Sequence, residues 1–222
     1  MKITLQPSTR PSASALCVLA ALLLAGCTTP GSRADMTDEG SSVFDEGGNR
    51  VPTVATLHSL ARILAARRND PQCELVLLRL LSDHPNYLPA YNELAELRLR
   101  HDRPAEALQA LEAGLVVAPK DRTLLNNRGM LHVLQGAHEE AVLAFEQALE
   151  IWPEDVMLHS DRALALGMSG RQDEALAAYL QVFPPERAYH NMAVIARAAG
   201  DEKTAAIHMA RAALAAREAS TL

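Results

Sequence analysis

Apolar residues recur at three- and four-residue steps through most of this chain, and the segment around Phe145 shows the pattern well. There, Ala141, Phe145, Ala148 and Leu149 would form one stripe along a helix, with polar residues on the other faces. Strand signals are missing: the sequence has no alternating Val/Ile/Thr run and no Asn-Gly or Asp-Gly hairpin turn. The pattern therefore predicts an all-α protein.

Three prolines divide this helical pattern at a fixed interval. Pro85, Pro119 and Pro153 are 34 residues apart, since 119 − 85 = 153 − 119 = 34. Proline cannot continue the helix that precedes it, so each one marks the turn into a new unit. A period of this length is typical of a helix–turn–helix repeat, whose units bury their apolar stripes only by stacking on one another.

The units between these prolines resemble the tetratricopeptide repeat. The unit from Arg122 matches that family at Gly129, Gly136, Ala141, Phe145, Ala148 and Pro153, and the unit from Leu88 matches at Tyr91, Leu94, Ala95, Ala107, Leu111 and Pro119. The resemblance implies a right-handed solenoid of about five helix-turn-helix units within residues 51–218. We place these units near residues 54–87, 88–121, 122–155, 156–185 and 186–218.

The fourth unit is predicted to be shorter than the others. Its start near Val156 and the next start near Glu186 are only 30 residues apart (186 − 156 = 30). Phe183-Pro184-Pro185 would end its second helix about one turn early, because proline lacks a backbone donor and disfavours helix in the preceding residue. The last helix, from Glu202 to about Arg217, is interpreted as a terminal cap.

The front of the chain has the features of an export signal. Residues 1–26 combine the positive charges of Lys2 and Arg10 with a ten-residue apolar run, too short to span a bilayer. The run ends in Leu-Ala-Gly-Cys, which resembles the lipobox of bacterial lipoproteins. The resemblance implies a signal peptide over 1–26 and lipidation of Cys27 by acyl chains such as palmitate. The alternative is an ordinary secretory signal cleaved nearby, with Cys27 a bystander.

Residues 27–50 follow as a polar stretch rich in Gly, Ser, Asp and Glu, which predicts a flexible tether rather than a packed core. In the lipoprotein family, Thr28 rather than aspartate after the cysteine implies the outer membrane as the destination. The expected location is therefore the periplasmic face of the outer membrane, held there by the lipid on Cys27.

The net charge argues against nucleic acid as a partner, and the cysteines argue against an internal disulfide. The net charge is −6, and it becomes 19 − 27 = −8 once Lys2 and Arg10 are removed with the signal. An acidic chain lacks the basic footprint that nucleic acids require. Cys17 would leave with the signal and Cys27 would be lipidated, so Cys73 has no disulfide partner and is predicted to fill a small buried repeat position.

Catalytic and metal-binding motifs are not found. The eight histidines form no His-x-x-x-His or His-Glu-x-x-His pair, and the sequence has no Gly-x-Ser-x-Gly elbow, phosphate-binding loop or dinucleotide fingerprint. The adjacent acids Glu139 and Glu140 are expected in the first turn of a helix, where they favour the helix dipole. We therefore expect no enzyme activity, no metal, no cofactor and no small-molecule substrate.

The tetratricopeptide resemblance implies that the first helix of each unit lines a concave groove for a protein or peptide. Asn127 is expected to hydrogen-bond the backbone of an extended peptide. Glu96 and Asp161 stand where the family's clamp for a C-terminal carboxylate has basic residues, so that kind of partner is disfavoured. Trp152 is left open between a partner surface and packing on a neighbouring helix. The predicted groove residues are Arg62, Asn92, Glu96, Asn126, Asn127, Met130, Asp161, Asn191 and Arg197.

These features favour a lipid-anchored periplasmic adaptor for the assembly of a pilus or secretion machine. The chain resembles the tight-adherence (Flp) pilus assembly lipoproteins of the TadD type in its lipobox, its NNRG segment at 126–129 and its stretch PERAYHNMAVIARAAGD. One alternative is an envelope-homeostasis adaptor that scaffolds cell-wall enzymes or a protease. Another is a cytoplasmic repeat protein whose apolar start is accidental.

Overall fold

The computed structural model describes residues 51–220, and this part of the chain contains ten α-helices and no strand. None of the described helices combines the length and the apolar character needed to cross a bilayer. In chain order the helices are α1 Val54–Ala66, α2 Asp70–Asp83, α3 Leu88–Arg100, α4 Pro104–Val117, α5 Arg122–Gln135, α6 His138–Ile151, α7 Val156–Met168, α8 Gln172–Val182, α9 Pro185–Ala198 and α10 Glu202–Ala219.

The helices pack as five successive pairs, from α1 with α2 to α9 with α10. Each helix has its most extensive contact with its pair partner, and each pair stacks on the next through a second helix and the following first helix. Two apolar clusters run along the stack, one over residues 57–131 and one over residues 125–195, and Leu115 packs against both. The fold is therefore a helix–turn–helix solenoid, in which the core is a continuous strip between neighbouring helices.

Glycines allow the closest approaches between helices. A Cβ atom on Gly129 of α5 would lie 2.5 Å from Cε1 of Phe145 in α6, so the phenyl ring packs directly on the backbone. A Cβ atom on Gly167 of α7 would likewise lie 2.7 Å from Cδ1 of Ile195 in α9. Only glycine fits at these two crossings without movement of the neighbouring side chain.

The equally spaced prolines stand two residues beyond the ends of α2, α4 and α6. The residue before each proline leaves the helical region, with ψ values of 71°, 80° and 66°. This conformation follows from the clash between the proline ring and a helical preceding residue. The prolines therefore end the second helix of the first three units, at Pro85, Pro119 and Pro153.

The turn inside each unit places one residue in the left-handed region. The first four of these residues are again 34 positions apart, whereas the last follows after 30. In the third to fifth units the residue is glycine, which adopts positive φ without steric cost. In the first two units it is not. The residues and φ values are Arg68 (56°), Asp102 (55°), Gly136 (76°), Gly170 (91°) and Gly200 (80°).

The fourth unit is short for the predicted reason. Helix α8 has 11 residues, whereas the second helices before it have 14. Phe183 follows it in extended conformation, with ψ of 152°, and α9 begins at Pro185, the first helical position that proline tolerates. The double proline thus both ends one helix and starts the next.

Candidate partner-binding face

A row of side-chain pairs connects the first helices of the first four units, and we call it the polar ladder. In its first rung His58 Nε2 lies 2.6 Å from Glu93 Oε1. In its second rung Asn127 Nδ2 donates to Asn92 Oδ1 over 2.8 Å. Its third rung is the pair of Asn126 and Asp161, in which the amide favours the charged form of the carboxyl. The ladder therefore joins α1 to α3, α3 to α5 and α5 to α7 along one face.

The spacing of the rungs explains why the ladder is continuous. Every rung joins a residue to the residue 35 positions later, which is one 34-residue repeat plus one. Each middle helix consequently contributes two consecutive residues, one to the rung before and one to the rung after: Asn92 and Glu93 in α3, Asn126 and Asn127 in α5. A polar residue at these two adjacent positions is thus all that each unit needs to extend the ladder.

The first rung is extended by a tyrosine. The Tyr87 hydroxyl lies 2.9 Å from His58 Nδ1, and the two rings meet edge to face with centroids 5.2 Å apart. Both imidazole nitrogens are therefore used, one by Tyr87 and one by Glu93. Burial, and then the Glu93 carboxylate, raise the pKa of Tyr87, so the phenol stays protonated at neutral pH.

The third rung contains a carboxyl group with an unusual protonation equilibrium. Burial raises the pKa of Asp161 to about 7, and the carboxylate of Asp155 acts in the same direction. The Asn126 amide and the Arg122 guanidinium lower the pKa of Asp161 and oppose this rise only in part. Arg122 is itself ion-paired with Asp155, the N-cap of α7, whose side chain accepts the Met157 and Leu158 backbone N–H groups.

The nine predicted groove residues differ in how far they can reach a partner. Three have exposed side chains, and five others are half-buried. Met130 contradicts the expectation, because it is only 6% exposed and belongs to the apolar cluster between units. The exposed residues are Arg62, Glu96 and Arg197, and the half-buried ones are Asn92, Asn126, Asn127, Asp161 and Asn191.

The structure also gives the predicted asparagines a role within the fold. Asn127, expected to meet a peptide backbone, donates one amide hydrogen to Asn92. The predicted groove contains neither these pairings nor Glu93, Tyr87, Arg122 or Asp155. A search for polar residues 35 positions apart would have found the rungs.

Two other residues considered in the sequence lie outside the ladder. Trp152 is 42% exposed, and its indole Nε1 donates to the Lys120 carbonyl oxygen over 3.2 Å, so the ring is tied to the preceding turn but remains accessible. Cys73 is 3% exposed, and its thiol donates to the Ala61 carbonyl oxygen over 3.3 Å. Burial raises the pKa of the Cys73 thiol, which keeps it in its unreactive form.

The predicted signal peptide, the lipidated Cys27 and the tether over 27–50 lie outside the described residues. They remain expectations from the sequence.

Comparison with known proteins agrees with the fold. A family model described as tetratricopeptide repeat matches residues 92–156. An uncharacterized protein of Sinorhizobium fredii, y4yS, is 34% identical over 122 residues, which are 55% of this chain. The same stretch covers 64% of y4yS, less than two thirds of that protein's length.

Solved structures with the same fold have low sequence identity. MamA from Desulfovibrio magneticus RS-1 superposes with a TM-score of 0.57 at 14% identity, covering 74% of this chain and 96% of that one. YrrB, described as a TPR protein with an unusual peptide-binding site, gives 0.53 at 17% identity, covering 77% and 93%. Pseudomonas aeruginosa PilF gives 0.55 at 18% identity, covering 73% and 76%. At these identities the likeness concerns the fold alone.

Proposed function

We propose that this helix–turn–helix solenoid, in which residues 92–156 match a tetratricopeptide-repeat model, is an adaptor anchored to the outer membrane by a lipid on Cys27, which binds partner proteins in the periplasm during assembly of a pilus or secretion machine. Solenoids of this kind present an extended surface made by successive units, and they bind other proteins on it. The partner would lie along the face that carries the polar ladder.

The ladder and the charged residues beside it carry the proposal. Hydrogen bonds in the first two rungs hold those two inter-unit steps in a fixed arrangement, so a bound segment would meet a preorganised surface. Arg62 and Glu96 lie on two helices of the ladder, α1 and α3, and Arg197 lies on α9, the first helix of the fifth unit. All three side chains are exposed, and they carry both charge signs. Such side chains contribute electrostatic complementarity, which selects partners and sets their orientation.

The assignment to a pilus or secretion machine rests on the sequence. It is supported by the lipobox-like segment before Cys27 and by the similarity to TadD-type lipoproteins. One stretch of this chain that carries the similarity, PERAYHNMAVIARAAGD, forms α9 and the turn into α10.

The test is purification of the full chain, tagged at its C-terminus, from detergent-solubilised envelopes, with bound proteins identified by mass spectrometry. A groove variant carries Arg62→Glu, Glu96→Lys and Arg197→Glu. A matched control carries Arg79→Glu, Glu112→Lys and Arg217→Glu, which are exposed residues of second helices and give the same net charge change. We expect the groove variant to lose its partners and the control to retain them.

The identity of the bound proteins decides between the two envelope functions. Recovery of a secretin or of pilus membrane components supports the assembly role. Recovery of cell-wall hydrolases or a protease instead replaces it with the homeostasis role, and equal binding by both charge variants refutes the proposed face. Cys27→Ala is expected to move the protein from the membrane to the soluble fraction with its helical content unchanged, as measured by fractionation and circular dichroism.

A further inference from the structure

The first helix of the solenoid exposes apolar side chains, one of them at a position that every later unit buries. On α1, Leu60 is 42% exposed and Ile63 is 50% exposed, and we call these two residues the front face. Equivalent residues of different units lie at the same distance from the left-handed turn residue of their unit. The later residues equivalent to Ile63 are each at most 1% exposed. They are Leu97, Leu131, Ala165 and Ile195.

In the later units, residues at these positions contact the preceding unit. Ile195 in α9, which is equivalent to Ile63, packs on the backbone of α7. Arg162 in α7, which is equivalent to Leu60, donates through Nε to Glu146 Oε1 in α6 over 3.0 Å. Within the described residues no unit precedes α1. The front face is therefore one half of an inter-unit contact whose other half the described part of the chain does not supply.

The last helix carries the corresponding other half. Met209 of α10 is 38% exposed, whereas the equivalent residues of the first four units are at most 3% exposed. Those residues are Leu77, Leu111, Phe145 and Tyr179. Ala206 and Ala210 of α10 are exposed as well. Their equivalents Glu74 and Glu146 each accept a hydrogen bond from the first helix of the next unit. We call Ala206, Met209 and Ala210 the back face.

The front and back faces match each other in polarity. Where the third unit meets the fourth, Glu146 pairs with Arg162, so both members of the contact are charged. The two equivalent residues at the ends of the solenoid are Ala210 and Leu60, so both members are apolar. Burying one against the other leaves no unpaired charge. Neither end has the polar outer face that terminal repeats of a solenoid need for solubility.

The edges of the two faces also match in charge. Between the first two units, Asp70 Oδ2 at the start of α2 lies 2.8 Å from His101 Nε2 at the end of α3. Glu202, the first residue of α10, is equivalent to Asp70, and Arg67, the C-cap of α1, is equivalent to His101. Glu202 lies 3.7 Å from Arg197 of its own chain and is still 73% exposed, so its carboxylate can accept a second cation. An acid at the back face thus corresponds to a base at the front face.

We propose that a second copy of this chain covers the front face with its back face, so that copies stack head to tail and continue the solenoid from α10 of one copy into α1 of the next. The contact repeats the stacking of units within the chain, with an apolar centre and an ion pair between Glu202 and Arg67 at its edge. Every copy carries both halves, so a partner of this one kind covers both ends. Such a contact is heterologous and forms either an open chain of copies or a closed ring.

The test measures the mass of the full chain in detergent solution by size-exclusion chromatography with light scattering, which separates protein mass from detergent mass. We expect the wild type to grow beyond one chain as its concentration rises. Ile63→Glu blocks the front face and Ala210→Glu blocks the back face, so each variant alone should remain a single chain. The matched controls Leu143→Glu and Ala177→Glu change exposed residues of second helices and should associate like the wild type. Circular dichroism verifies that all variants are folded.

Mixing the two blocked variants gives the most specific result. The Ile63→Glu copy retains its back face and the Ala210→Glu copy retains its front face, so the mixture should form a dimer of one copy each and nothing larger. A wild type that stays a single chain up to about 1 mM would overturn the proposal, and residues before 51 or a different protein would then cover the front face. Association of either blocked variant alone, or no dimer in the mixture, would also overturn it. Since no other protein is present, the result is independent of the proposed adaptor function.

Discussion

The turn between the two helices of a unit contains different residues in the first two units and in the later three. The turn between the helices of each unit needs one residue at positive φ, and in the third, fourth and fifth units that residue is glycine. In the first two units Arg68 and Asp102 occupy the position with φ values of 56° and 55°. An ordinary side chain in this region costs about 1–2 kcal/mol. The comparison shows that stacking of the units imposes the turn even where the local residue disfavours it.

The close contact inside each of the first four units uses a small residue on the first helix. The position of Gly129 is occupied by Ala61, Ala95 and Ala163 in the first, second and fourth units, and all three are buried. Glycine in the third unit accompanies Phe145, whereas the equivalent residue in the second unit is the smaller Leu111. The fourth unit does not follow this exchange, since it combines Ala163 with Tyr179 at the position of Phe145.

The largest effect is predicted for a substitution that disrupts the close contact between Gly129 and Phe145. Gly129→Leu should destabilise the protein by about 1–3 kcal/mol, because even its Cβ atom would meet the Phe145 ring at 2.5 Å. Urea denaturation would measure the loss. Leucine at the exposed Ala113 is the control for added apolar surface and should leave stability nearly unchanged. Introducing the pair of the second unit, Gly129→Ala with Phe145→Leu, should cost less than Gly129→Leu, and an equal or larger cost would show that the two residues do not compensate.

A smaller loss is expected when a glycine turn is given a side chain. Gly136→Ala should cost about 1 kcal/mol, since φ is 76° at this position. A Cβ atom there has no neighbour within 4 Å, so the cost comes from backbone strain alone. Denaturation curves of the variant and the wild type would measure it. Unchanged stability would contradict the strain that we assign to a side chain at positive φ in this turn.

The reverse substitution in the first unit should stabilise the protein slightly. Arg68→Gly removes the strain at φ of 56° but adds the conformational entropy of glycine to the unfolded chain. The first term is about 1–2 kcal/mol and the second about 0.5–1 kcal/mol, so we expect a gain of about 0.5 kcal/mol. Arg67→Gly, one residue earlier and outside the left-handed region, is the control and should not stabilise. A net loss in Arg68→Gly would mean that the arginine side chain contributes more than its backbone costs.

The smallest effect concerns pH at the end of the solenoid. His208 of α10 is 9% exposed and stacks on Tyr189, and burial together with Arg211 lowers its pKa. A lowered histidine pKa means that stability is complete above pH of about 6.5 and is lost as pH falls through the folded value. We expect the melting temperature of the wild type to fall between pH 7.5 and pH 5 relative to His208→Gln. A parallel pH dependence in the two proteins would contradict this prediction.

The architecture of the described region could be predicted from local patterns in the sequence. The spacing of Pro85, Pro119 and Pro153 and the three- and four-residue apolar steps were enough to predict an all-helical tetratricopeptide solenoid, because proline geometry and helical periodicity act within a few residues along the chain. The short fourth unit could be predicted for the same reason, from the double proline before α9. Small residues at close crossings, such as Gly129, also followed from the repeat spacing.

The side-chain pairs and the burial of individual residues could not be predicted in this way, because they depend on contacts between residues about one unit apart. The rung between Asn126 and Asp161 exists only because stacking brings α5 beside α7. The burial of Met130, which removes it from the predicted groove, follows from the rotation of α5 within the stack. The positive φ of Arg68 could not be predicted either, because local preference opposes it and only the packing of the two helices that it joins imposes it.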